Sequence, residues 1–176
     1  MEAQKAQARK SVLNYGLLLG FILVVLGVVM YVLDYHLQPH WSFMVLTLIV
    51  FIAVVTYGIK AFKKENGGFL SIGEAIKVGV GIALVAAIIS GIWVLLLTTV
   101  IEPGFMEQAI ELERQKAFAN NPGLTDEQWE KGLEMSEAFR GPWVTFAFTL
   151  VVDMLFGLLI GLIAGAVMKQ NRPYEV

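Results

Sequence analysis

No cysteine occurs among the 176 residues. That excludes disulfides, thiol nucleophiles and thiolate metal sites, and says nothing of the compartment. Charge is scarce too, at 16% of the chain with a formal net charge of −2. No basic surface is available for a phosphate backbone, so nucleic acid is not an expected partner. Also missing are H-E-x-x-H, G-x-S-x-G, a phosphate-cradling glycine loop with its lysine, and a Ser-His-Asp set at one depth. No catalytic residue, enzyme activity or cofactor is therefore expected. Asp34, His36 and His40 lie close together in sequence, but H-x-x-x-H spacing serves a metal on a helix and Pro39 argues against one. No metal site is assigned.

What the chain has in plenty is apolar side chains, 57% of its residues, and the lipid bilayer is its natural partner. A hydrocarbon core of about 30 Å needs roughly 20 apolar residues per helix. Four stretches qualify, at 12–33, 41–60, 76–101 and 143–168. The expected fold is all-α: a polytopic membrane protein forming a single membrane domain of four transmembrane helices. The first run is too long for the apolar region of a signal peptide and lacks a small-residue cleavage motif, so it counts as a span. Tyr31, Tyr35, Trp41, Phe43 and Trp143 fall at span ends, where an apolar ring with a polar edge suits the headgroup region.

Cations set the expected orientation. Lys5, Arg9 and Lys10 precede the first span, Lys60, Lys63, Lys64 and Lys77 lie between the second and third, and Lys169 and Arg172 follow the fourth. On the other side the 34–40 loop has none, and in 102–142 Arg114, Lys116, Lys131 and Arg140 are outnumbered by acids. The positive-inside rule then puts both termini in the cytoplasm and 102–142 in the periplasm.

That 102–142 insertion reads as two short helices. Asn121-Pro122-Gly123 is turn chemistry between them, and Thr125 with Gln128 has capping-box spacing for the second. Met106, Ala109, Ile110 and Phe118 form one apolar stripe, and Trp129, Leu133 and Phe139 another, with acids outside. An extramembrane hairpin follows, either self-packed with a solvated acidic face, capping the bundle, or docking a periplasmic protein.

Between spans two and three the chain reads NGGFLSIGEAIKVGVG. Ser71 and Glu74 have the S-x-x-E spacing of a capping box, and Lys77 follows one turn on as a cytoplasmic interface cation, free to pair with Glu74 or to meet lipid headgroups. With the four spans, the Glu102-Pro103-Gly104-Phe105 exit and the charged hairpin, this resembles the bacterial family called domain of unknown function 4199, over nearly the whole chain. The phrase GFLSIGEAIKVG carries the most specific likeness. The resemblance implies a small multi-helix protein of the Gram-negative inner membrane, with no activity, cofactor or partner to transfer.

Small residues recur at steps of four: Gly16 and Gly20 on span one, Gly79, Ala83, Ala87 and Gly91 on span three, Gly157, Gly161 and Gly165 on span four. Such faces let backbones approach closely in lipid. They serve packing within one chain or, as the competing arrangement, a homodimer. Asp153 continues the span-four series and is the one charge inside any span. At mid-membrane an aspartate costs about 2.5–3.5 kcal/mol to insert. Ser90, Gly91 and Thr47 come to similar depth, but no Lys, Arg or His does. Without a counter-charge the neutral carboxylic acid is favoured. Three roles stay open: hydrogen-bond glue between helices, a proton or cation relay, and an acid facing a small wet cavity. The functional expectation is a non-enzymatic structural or accessory component of the inner membrane, with an unidentified membrane or periplasmic protein as partner. The alternative is a small proton- or cation-linked transporter using Asp153.

Overall fold

In lipid a single segment satisfies its own amides only as a helix, and this chain is built from helices. The computed structural model describes residues 2–171, with side chains from Gln7 onward. Of the cations counted above, Arg172 and the side chain of Lys5 lie outside the described residues. The elements are α1 (Glu2–Val32), α2 (Trp41–Glu65), α3 (Ile72–Leu96), a π-helical turn (Leu97–Ile101), α4 (Phe105–Asn120), α5 (Asp126–Glu137) and α6 (Pro142–Met168). Among the described residues there is no strand, and Leu70 and Gln170 form an isolated antiparallel bridge.

Four helices are long and apolar enough to cross a membrane: Gln7–Val32, Trp41–Glu65, Ile72–Ile101 and Pro142–Met168. The shortest has 25 residues. At about 1.5 Å per residue it outreaches a core of about 30 Å. Their outward faces carry large apolar side chains such as Phe21, Ile49, Ile163 and Val167, all more than half exposed. That surface suits lipid and the pattern is that of a multi-pass membrane protein.

The helix ends are specified locally. After α1, Tyr35 N–H donates to Met30 O at 2.8 Å and Asp34 takes a left-handed φ of 58°. His40 is the N-cap of α2, its Nδ1 accepting from Ser42 N at 3.4 Å. Ser71 and Glu74 open α3 with both capping-box bonds: Ser71 N donates to Glu74 Oε2 at 2.8 Å, and Glu74 N to Ser71 Oγ at 3.3 Å. The far end of α3 departs from the α-helix expected up to residue 101. There Thr98 Oγ1 donates to Val94 O at 2.9 Å and Thr99 Oγ1 to Leu95 O at 2.6 Å. These hydroxyls compete with the backbone ladder next to Pro103, and Glu102 N–H reaches back to Leu97 O at 2.8 Å in the wider π register.

The chain divides into two compact units, Met1–Gly91 with Thr149–Val176, and Ile92–Phe148. The core of the first runs through Leu19, Phe51, Val55, Ile59, Phe62 and Ile82, with Ala83, Ala86, Ile160 and Ala164 beside them. The second contains α4 and α5 joined by a turn at 121–124, with no buried residue on either helix. Thr125 and Gln128 make the reciprocal capping box. Phe118 and Trp129 meet edge-on at 6.4 Å, Arg114 pairs with Asp126 at 2.7 Å, and Arg140 with Glu113 at 3.0 Å. The hydrogen bond and charge of Asp126 hold the Arg114 guanidinium further above its ordinary pKa. Phe139 does not join the expected stripe and is 75% exposed. Helix α5 stops at Glu137, and Phe139 N–H turns back to Ser136 O at 2.9 Å, which takes its ring off the helical face.

Candidate functional site

The small residues of α3 and α6 make a seam of backbone against backbone. A Cβ added at Gly79 would lie 2.6 Å from the carbonyl oxygen of Gly157, and one at Gly157 would lie 2.6 Å from the Cβ of Ala83. A Cβ at Gly161 would meet Ile76 Cα at 2.9 Å, and one at Gly165 would meet Ala75 Cβ at 2.9 Å. Real Cβ atoms do not approach so closely, so these positions admit only glycine unless the helices separate. Gly16 and Gly20 seat α1 on Val85 and Ile89 of α3. Ala87 and Gly91 are buried farther along α3. Two glycines not singled out in the sequence act in the same way: Gly81 faces Val12, and Gly58 faces Ile82 and the Tyr15 ring. Neither has a small residue four positions away on its own helix, so the step-of-four series does not flag them.

Asp153 sits one helical turn before Gly157 but does not continue the seam. With 3.6 residues per turn, each step of four overshoots by about 40°, so from Gly165 back to Asp153 the face rotates by about 120°. The rotation carries Asp153 off α3. It lines a groove of about 320 Å³ together with Met30 of α1, Phe43, Thr47 and Phe51 of α2, and Phe156 of α6. The Phe51 and Phe156 rings in that lining meet at a tilt, with centroids 6.1 Å apart. Apart from Thr47 the lining is otherwise apolar, and among the described residues Asp153 is its one titratable group.

Of the intramembrane polar candidates, the structure brings Thr47 and Asp153 into one groove. Ser90 is spent on its own helix, its Oγ donating to Ala87 O at 3.4 Å. Among the described residues, no side chain hydrogen-bonds or ion-pairs with Asp153, and none of its oxygens is sealed from the groove. The interhelical glue role thus finds no partner within these residues. Lys77 is exposed and makes no ion pair with Glu74. No group of three or more His, Cys, Asp or Glu residues is placed to hold a metal among the described residues.

At the opposite end of the same unit, polar contacts tie the helix ends together. Lys63 Nζ donates to Met168 O at 2.9 Å, supplying a cation to the C-terminus of α6, and the Leu70–Gln170 bridge holds the following segment. Gly67 and Gly68 turn the chain into that bridge at φ of 70° and 86°, values that glycine adopts without strain.

No curated protein and no solved structure matches this chain. A family model described as a protein of unknown function, DUF4199, matches residues 14–170, which take in the first apolar helix from residue 14, the other three, and the hairpin between the last two. The chain belongs to the DUF4199 family.

Proposed function

We propose that this protein is a non-enzymatic accessory component of the bacterial inner membrane, with both termini in the cytoplasm, and that its groove at Asp153 seats a transmembrane helix of another protein. The observation that carries the reading is an acid at mid-span in an apolar groove, unpartnered among the described residues. An unpaired carboxyl in lipid is costly, and a hydrogen-bond donor or cation on a neighbouring helix removes the cost. A second copy of the chain offers no such cation at that depth, because the Lys and Arg residues of the four apolar helices lie at their ends and Asp153 is the one charge near the middle. The orientation is supported by the excess of Lys and Arg on the side of the termini.

Native-membrane extracts resolved by size test this. The wild-type chain should migrate in an assembly larger than itself, Asp153→Leu should release it to its own size, and Asp153→Asn, which still hydrogen-bonds, should stay in the assembly. Migration of all three at the size of the chain alone would count against the reading. A transporter would instead give Asp153-dependent proton flux in proteoliposomes carrying a pH-sensitive dye. A relay is the weaker reading, since among the described residues the groove holds no second titratable group.

A further inference from the structure

The lysines between spans two and three do more than set orientation. Tyr57, Lys60 and Lys64 fall at i, i+3 and i+7 of α2, so one helical face carries a tyrosine and two cations at the end of the span. Lys63 flanks that face. These residues line a groove of about 540 Å³ with Tyr15 of α1 and Met168 of α6, and among the described residues no carboxylate lines it. The acid next in sequence, Glu65, is turned to Lys10 at 3.5 Å.

The groove is ordered before any ligand arrives. Lys63 is held by its bond to Met168 O at 2.9 Å, with two of its three N–H donors left over. The Tyr15 ring lies on Gly58, where a side chain would displace it. Tyr57 is 63% exposed, presenting a broad apolar ring beside the lysines. Lys60 and Lys64 are exposed, and neither has an ion-pair partner among the described residues. Three cations with two phenolic rings, at the junction of span and headgroup region, match a phosphate ester attached to an acyl glycerol. The cations take the phosphate oxygens, and the rings take the glycerol and the first methylenes.

We infer that this groove, formed by α1, α2 and the end of α6, is a binding site for the phosphodiester headgroup of an anionic phospholipid. The site is independent of the one at Asp153.

The full chain in neutral detergent, mixed with phosphatidylglycerol or phosphatidylcholine, tests the inference by native mass spectrometry of retained lipid, with helicity followed by circular dichroism. Phosphatidylglycerol should be retained at least about tenfold over phosphatidylcholine, and inorganic phosphate should not displace it. Lys60→Gln with Lys64→Gln should lower retention about tenfold or more at unchanged helicity, and each single change about fivefold. Arginine at both positions should restore it, and Lys116→Gln, an exposed lysine of α4 outside the groove, should leave it intact. Equal retention of the two lipids, wild-type retention in the glutamine variants, or an equal loss in Lys116→Gln would overturn the site. Displacement by inorganic phosphate would assign the groove to a free anion and overturn the lipid assignment.

Discussion

Along α6, Gly157, Gly161 and Gly165 press onto the backbone of α3, whereas Asp153, one turn earlier, looks across a groove at side chains of α2. The two stretches share a helix and a solvent, yet only one is packed against α3. Where small residues permit contact, dispersion and lipid exclusion hold the helices without further help. Where Phe43, Thr47 and Phe51 stand opposite an acid, a groove lined by side chains remains between the helices. Self-sufficiency at one end and incompleteness at the other is the lesson of the comparison.

The sharpest way to break the seam is one methyl group. Gly157→Ala places a Cβ against Ala83 and the Gly79 carbonyl, both on the facing helix, and should lower stability by about 1–3 kcal/mol. Thermal unfolding in detergent reads it, with Gly73→Ala, whose Cβ meets nothing within 4 Å, as the control. Lys63→Met keeps the apolar stem but removes the bond to Met168 O, and should cost about 0.5–1.5 kcal/mol by the same assay. Gly58→Ala is a milder test, because its neighbours are side chains of Ile82 and Tyr15 that can shift, and alanine is the better helix former; a net loss below about 1 kcal/mol is expected. Asp153→Leu should be the smallest: in the isolated chain stability should stay within about 0.5 kcal/mol of wild type or rise, as no hydrogen bond or ion pair among the described residues is lost. A drop comparable with Gly157→Ala would erase the distinction between the two ends.

Much of this was legible in the sequence. Four apolar runs gave four helices, since length and hydropathy leave a membrane segment few alternatives. The glycines at steps of four pointed to a close-packed face, and S-x-x-E and T-x-x-Q pointed to helix starts, because both signals are local. The groove was not legible. Spacing alone put Asp153 with its glycines, and the 40° drift per step, together with which helix stands opposite, appears only in three dimensions. Phe139 was misread because a helix end two residues earlier breaks the stripe. The lysine groove had a signal, the i, i+3, i+7 spacing of Tyr57, Lys60 and Lys64, that counting charges for orientation passes over.

The groove itself offers the most direct test of the central claim. A photoreactive residue at Thr47, which lines it with Asp153, can be activated in native membranes and its adducts separated by mass. The account predicts one defined adduct with a different membrane polypeptide, lost in Asp153→Leu and kept in Asp153→Asn. Adducts with lipid alone, or the same polypeptide adduct with and without the acid, would contradict it.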